Sequence, residues 1–277
     1  MKNYLRKSMD KKVILGEMTW IEAKEMFKKA KVAIVVTGST EQHGPHLPLQ
    51  HDLLSALYVA KKAAEEIYPN AIVCVPTTIG ASPFHMDFPG TLSFRYEIFI
   101  EILLDVCRSI KHHGMKNVIF LNGHGGNGPA LHIAARRAKE ELGMKAIWMN
   151  YWDLVPRELC IKIFGDKISL PGHAGEYETS TALFTHPELV NLKAYEEFKD
   201  KSFPELEKAK KIASYNKFSK VDPSGYAMYN ATMDVSEIAT SGVLFEGGNP
   251  LNAKAEKGKE IIEKAIENLI EMIKDIF

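Results

Sequence analysis

The 277 residues are long enough for one large core or two small domains, and about 70% of the extended chain's surface can be buried on folding without disulfide staples. Apolar residues make up 45% of the chain, and 35 Lys and Arg balance 35 Asp and Glu, for a formal charge of zero. That balance excludes a nucleic-acid coat or a polybasic membrane binder.

The basic opening MKNYLRKSMDKK lacks the apolar core of a signal peptide, and no stretch approaches 18 unbroken apolar residues. Cys74, Cys107 and Cys160 form neither a Cys-x-x-Cys pair nor a zinc-finger spacing, so reduced thiols in a cytoplasmic protein are expected. From Lys31 to Gly38, KVAIVVTG is a short apolar run closed by turn residues, the pattern of a strand buried on both faces. Similar runs follow at Ala71 to Val75, Asn117 to Leu121 and Ala146 to Met149. Helical spacing separates them, over Leu53 to Ile67, Phe94 to His113 and Pro129 to Leu142. A parallel crossover needs about a dozen residues, so this alternation predicts an α/β fold: one three-layer α/β/α domain over residues 1–277 with a mostly parallel central sheet. Between Tyr195 and Phe218 a lysine-rich helix broken by Pro204 belongs to an excursion around residues 192–229, too poor in apolar residues for its own core. Ile261, Ile262, Ala265, Ile266, Leu269, Ile270, Ile273 and Ile276 mark an amphipathic helix over residues 253–277.

The polar residues gather where strands end. GSTEQHGPHLPLQHD, from Gly38 to Asp52, follows the first strand and brings Glu41, His43, His46, His51 and Asp52 into a loop kept irregular by glycine and proline. NGHGGNG, from Asn122 to Gly128, adds His124, and its four glycines allow positive φ and close backbone approach. PGHAGEYETS, from Pro171 to Ser180, offers His173, Glu176 and Glu178 ahead of another helix. In open α/β sheets ligands bind beyond the C-terminal strand ends, and imidazole with carboxylate suits zinc, manganese or iron. A lone loop histidine is ordinarily a surface or hydrogen-bonding residue, so it is the three loops together that point to a metal. His46 and His51 serve equally well to pin the Pro-rich turn. His85 is either a pocket wall or part of an exposed loop. Asp87 could contact substrate or cap the next helix, with Thr91 or Ser93 the better caps.

Other catalytic patterns are missing. NGHGGNG lacks the GxGxxG order of a dinucleotide site and the lysine of a phosphate-binding loop, and no GxSxG nucleophile elbow occurs.

At these three loops the sequence resembles the creatininase (creatinine amidohydrolase) family. The resemblance implies that Glu41, His43, Asp52 and His124 hold a two-metal centre bridged by Asp52. Creatininase carries a glutamate two residues after the histidine of its second segment, where this chain has Gly126. Glu176 is the first replacement candidate and Glu178 the second. Tryptophans that flank creatinine in that enzyme lack a match in the third segment, so creatinine is not the favoured substrate. The family mechanism implies two divalent ions, zinc first with manganese or iron as alternatives, which activate a water. His173 would then carry the proton to the leaving group, and Glu178 would orient it or assist as a base.

The expected activity is hydrolysis of a carbon–nitrogen bond in a small cyclic amide or formamide. Hydrolytic carbon–carbon opening of a cyclic polyhydroxy diketone, such as an inositol-derived dehydro-inosose, is the alternative. A metal-stabilised small-molecule binding protein is the reading from a different class. The resemblance further implies a homo-oligomer, commonly a hexamer, with a small-molecule substrate and no nucleic-acid or membrane partner.

Overall fold

The computed structural model describes residues 11–166, 172–198, 205–216, 223, 228, 231–244 and 247–277. The four apolar runs form strands β1 (Val32–Thr37), β2 (Ala71–Cys74), β3 (Asn117–Asn122) and β4 (Lys145–Asn150). They make one parallel sheet in the order β2-β1-β3-β4. The described helices are α1 (Trp20–Lys29), α2 (His51–Glu66), α3 (Tyr96–His112), α4 (Gly128–Leu142), α5 (Arg157–Phe164), α6 (Glu176–Thr185), α7 (Leu192–Phe198), α8 (Leu206–Ala213), α9 (Val235–Ile238) and α10 (Ala255–Ile276).

The period of a strand divides β1 between two cores. Val32, Ile34 and Val36 face the layer built by α2, α5, α6 and α10, whereas Ala33 and Val35 face α1, α3 and α4. Both faces are therefore covered, which is why β1 reads as an unbroken apolar run. This is the expected α/β/α sandwich.

Periodicity alone assigns nothing between residues 12 and 30, yet α1 forms there. Its signal is a capping box: the Glu22 N–H donates to Thr19 Oγ1 at 3.3 Å, and the Thr19 N–H donates to Glu22 Oε2 at 2.7 Å. Within the predicted excursion, α7 and α8 are described, while Pro204 and the stretch 217–222 lie outside the described residues. Neither Thr91 nor Ser93 caps α3, which starts after Arg95 with no side-chain cap. Thr91 Oγ1 instead accepts the Gln42 N–H, and Ser93 Oγ accepts the Ser82 N–H, so both brace loops at the sheet end. Asp87 accepts a hydrogen bond from Ser236 Oγ, which ties its loop to α9. Among the described residues, no helix is long and apolar enough to cross a membrane.

The register aligns Thr37, Asn122 and Asn150 across the C-terminal edge of the sheet. Thr37 Oγ1 donates to Asn122 Oδ1 at 3.0 Å, and Asn122 Nδ2 donates to Asn150 Oδ1 at 2.8 Å. This row forms a rigid polar floor. The chain leaves β1 toward β2 on one side and returns to β3 on the other, so the β1–β3 boundary is the topological switch point.

Candidate metal centre

Because β1 and β3 are neighbours, the loops that follow them meet. Gly123 makes the approach close: a Cβ there would run into the Asp52 carbonyl oxygen. Asp52 lies in the first turn of α2, where the helix dipole favours a carboxylate. The third loop arrives through Ala174, whose left-handed backbone (φ 52°) turns its N–H onto Glu178 Oε2 at 2.6 Å. None of the four glycines in NGHGGNG adopts a positive φ, so what their small size contributes is close approach.

Glu41, His43, Asp52, His124, His173 and Glu178 are all buried here. Asp52 Oδ1 lies 2.8 Å from His43 Nε2, and its Oδ2 lies 3.1 Å from His124 Nδ1. Glu41 Oε1 lies 3.2 Å from His124 Nδ1, and Glu178 Oε2 lies 3.8 Å from His43 Nε2. Two overlapping groups able to hold a metal ion result: Glu41, Asp52 and His124; and His43, Asp52 and Glu178. A third, Glu41, His43 and His173, closes the ring. Donors that sit about 2.1 Å from one ion stand roughly 3.0–3.4 Å apart, and the two spacings to His124, 3.1 and 3.2 Å, match edges of a coordination shell.

The imidazoles are oriented from behind. His43 Nδ1 lies 3.2 Å from the Glu41 carbonyl oxygen, which leaves Nε2 facing Asp52. His124 Nε2 lies 3.0 Å from the Ala81 carbonyl and 3.1 Å from Ser82 Oγ, which leaves Nδ1 facing Glu41 and Asp52. A carbonyl only accepts, so each ring keeps a hydrogen on its outer nitrogen and leaves the inner nitrogen as the one that gives up its proton to an ion, the arrangement of a metal-bound histidine.

Both Glu41 oxygens, His43 Nε2 and Asp52 Oδ2 are buried without a completed hydrogen bond among the described residues. Orphaned donors of this kind, converging from carboxylate and imidazole, fit divalent ions. The electrostatics agree. Burial opposes charge on His43, yet Asp52, Glu178 and Glu41 raise its pKa to about 10. His124 is raised well above its ordinary value by Glu41 and Asp52 in the same way. Burial, with Asp52 and Glu41 adding to it, pushes Glu178 up to about 8. Without metal the centre therefore holds protons that an ion must displace. Metal affinity is expected to rise with pH, by about 100-fold per unit between pH 6 and 8 if two protons leave. Chelator-competition titrations at three pH values measure the slope, and a flat profile would reject these ligands.

Glu176, the first replacement candidate, does not join the cluster. It pairs with Lys257 of α10, while Glu178 reaches His43 and Asp52. The helix begins at Glu176 itself, so two residues turn about 200° and place the carboxylates on opposite faces. Position 126 has no room for a carboxylate: a Cβ there would meet the His124 ring, the Ala81 carbonyl at 2.6 Å and Phe84 Cζ at 2.7 Å. Nor does Glu178 orient His173. The partner of His173 Nε2 is Gln42, and its Nδ1 faces Glu41 Oε1 at 3.9 Å. Burial, together with His43 and His85, keeps the His173 pKa well below its ordinary value. His46 and His51 hold more than their own turn: His46 Nε2 pairs with Thr179 Oγ1 at 2.9 Å, and His51 Nδ1 lies 3.2 Å from His186 Nε2. Gln42 escapes sequence reasoning, while for His85 burial decides between pocket wall and exposed loop. His85, on a 3₁₀ turn, is buried with Nε2 3.3 Å from Glu41 Oε1, and Gln42 bridges His85 to His173.

Comparison with known proteins agrees with this geometry. A family model described as creatininase, creatinine amidohydrolase, matches residues 16–273. The chain is 34% identical over 184 residues to a mycofactocin precursor peptide peptidase of Mycobacterium ulcerans, an alignment covering 64% of this chain and 67% of that protein. It is 28% identical over 272 residues to a 3-dehydro-scyllo-inosose hydrolase of Thermotoga maritima, covering 95% and 83%. A solved structure titled as creatininase with Mn superposes with a TM-score of 0.76 at 25% identity, covering 96% of this chain and 99% of that one. Matched across nearly all of its length and carrying buried carboxylate and imidazole clusters suited to divalent ions, the chain belongs to the creatininase family and is a metal-dependent hydrolase.

Proposed function

We propose that this hydrolase cleaves a carbon–nitrogen bond of a small cyclic amide or formamide, with two divalent ions held by Glu41, His43, Asp52, His124 and Glu178. The observation that carries the reading is Asp52, whose two oxygens face the inward nitrogens of His43 and His124 at 2.8 and 3.1 Å. One carboxylate shared by two imidazoles supports a bridged pair of ions. When bound, such ions supply an activated water and polarise a carbonyl. Zinc or manganese suits these donors, and manganese is named for the similar creatininase.

The chain's own residues supply the rest. Glu41 and Asp52 bring negative charge that balances the ions in a site closed to bulk water. His173 holds Nδ1 3.9 Å from Glu41 Oε1, where it would take a proton from the attacking water and return it to the leaving nitrogen. An amide anion is a poor leaving group, so cleavage requires this return. Glu178 serves as a ligand in this scheme, with its Oε2 fixed by the Ala174 N–H.

Two likenesses support carbon–nitrogen chemistry: the family description names an amidohydrolase, and the mycobacterial relative is named a peptidase. The inosose hydrolase keeps carbon–carbon ring opening as the second reading. Screening cyclic amides, formamides and cyclic ketopolyols for metal-dependent acid release separates the two. Turnover of an amide or formamide that a chelator abolishes and zinc or manganese restores is the expected result. Turnover confined to ketopolyols would overturn it in favour of the second reading.

A further inference from the structure

Gln42 is buried between Glu41 and His43 in the chain, and its side chain contacts three separate parts of the fold. Its Oε1 accepts the Gly44 N–H at 2.9 Å. A backbone N–H only donates, so this bond settles which end of the amide is oxygen. The amide nitrogen then faces His85 Nδ1 at 2.8 Å, His173 Nε2 at 2.9 Å and the Gly242 carbonyl at 3.2 Å. His173 Nε2 also lies 2.9 Å from the Gln42 carbonyl oxygen, which only accepts, so it is a donor there and the two amide hydrogens go to His85 Nδ1 and the Gly242 carbonyl.

The consequences reach Glu41 from two sides. His85 accepts at Nδ1, so its hydrogen sits on Nε2, the edge turned toward Glu41 Oε1 at 3.3 Å. That N–H is not aligned well enough to complete a hydrogen bond with the carboxylate. His173 has the same tautomer but turns its other edge to Glu41. Its Nε2 lies 2.9 Å from the Gln42 carbonyl oxygen, which only accepts, so Nε2 carries the hydrogen and Nδ1 presents a lone pair toward Glu41. The two rings pack on each other at 4.5 Å between centroids.

A distal segment closes over this arrangement. Gly242 has φ 80°, and a Cβ there would strike the Gln42 amide. Its neighbour Val243 packs against Gly44, and the Leu244 N–H donates to the His173 carbonyl at 3.1 Å. Residues 242–244 thus touch the first loop and the third together.

We propose that Gln42 is a positioning residue that holds His85 and His173 both as Nε2–H tautomers, turned so that His85 presents its N–H edge and His173 its lone-pair edge to Glu41, and that it couples residues 242–244 to the metal centre. The inference rests on the metal-dependent reading above. Its effect falls on ion affinity and on the proton-carrying edge of His173. A residue that merely fills space would leave both unchanged when replaced by an isostere.

Gln42→Met is the near-isostere, since it keeps the length and adds no charge but loses both donated hydrogens. Gly242→Ala is the complementary variant, displacing the amide without removing a polar atom. Zinc affinity is measured by chelator competition, and ring tautomers by nitrogen spectra of the zinc-loaded protein labelled at its ten histidines, with His85→Gln assigning its signal. Wild type is expected to show the Nε2–H tautomer at His85, and each variant to bind zinc about 10–100-fold more weakly with that signal altered. Wild-type His85 in the Nδ1–H form would overturn the proposal whether or not either variant folds. Unchanged affinity and tautomers in a folded variant would also overturn it. Failure of the wild type to bind zinc at all would count against the metal centre, an outcome distinct from either of these.

Discussion

Asp52→Asn is expected to empty both metal positions and to lower turnover by more than the roughly 10–100-fold that loss of a supporting partner costs. Asp52 is the residue common to the two metal-binding groups that also contain His124 and Glu178. Asparagine keeps the shape but presents an NH2 where one oxygen now faces an imidazole nitrogen, so either His43 or His124 meets a donor instead of a shared anion. The metal-free protein should weaken as well. Burial opposes the charge on Asp52, but His43 and His124 hold its carboxyl well below the usual range, so the variant leaves two buried rings short of a counter-charge. Elemental analysis after dialysis, with steady-state turnover on the same sample, checks the expectation. Two retained ions with full turnover would remove Asp52 from the centre.

Glu178→Gln and Glu176→Gln should behave in opposite ways. Glu178 groups with His43 and Asp52, so its amide variant is expected to lose one ion, keep the one held by Glu41, Asp52 and His124, and lose most activity. Glu176 pairs with Lys257 at the interface of α6 and α10. Its amide variant should keep both ions and cost about 1 kcal/mol of stability, because a half-buried ammonium loses its charged partner. Metal stoichiometry and thermal melting of the two proteins give the comparison. Loss of an ion in the Glu176 variant with full loading in the Glu178 variant would reverse the assignment.

Much of this architecture is legible in the sequence because each feature has a local cause. Four apolar runs spaced by helix-length segments require a covered parallel sheet, and the expected strands lie within about a residue of those observed. The polar loops that follow β1 and β3 were identifiable because turn residues close each strand. Helix α1 was legible in principle, through Thr19 and Glu22, but its weak periodicity hides it.

The site is less transparent where geometry is non-local. Choosing between Glu176 and Glu178 depends on where α6 begins, and a one-residue change of helix start redirects both side chains. His85 and Gln42 carry no spacing signal, since their partners are 43 and 131 residues from Gln42 in the chain.

By itself the sequence determined the layered α/β/α plan, the three polar loops and, through them, a metal-dependent hydrolase. Period and turn chemistry act over a few residues and need no partner. Only the tertiary structure decided that Glu178 completes the cluster, that Gly126 has no space for a ligand, and that Gln42 joins His85, His173 and Gly242. Those outcomes depend on helix phase and on contacts between distant segments, which exist only once the sheet has brought the loops together.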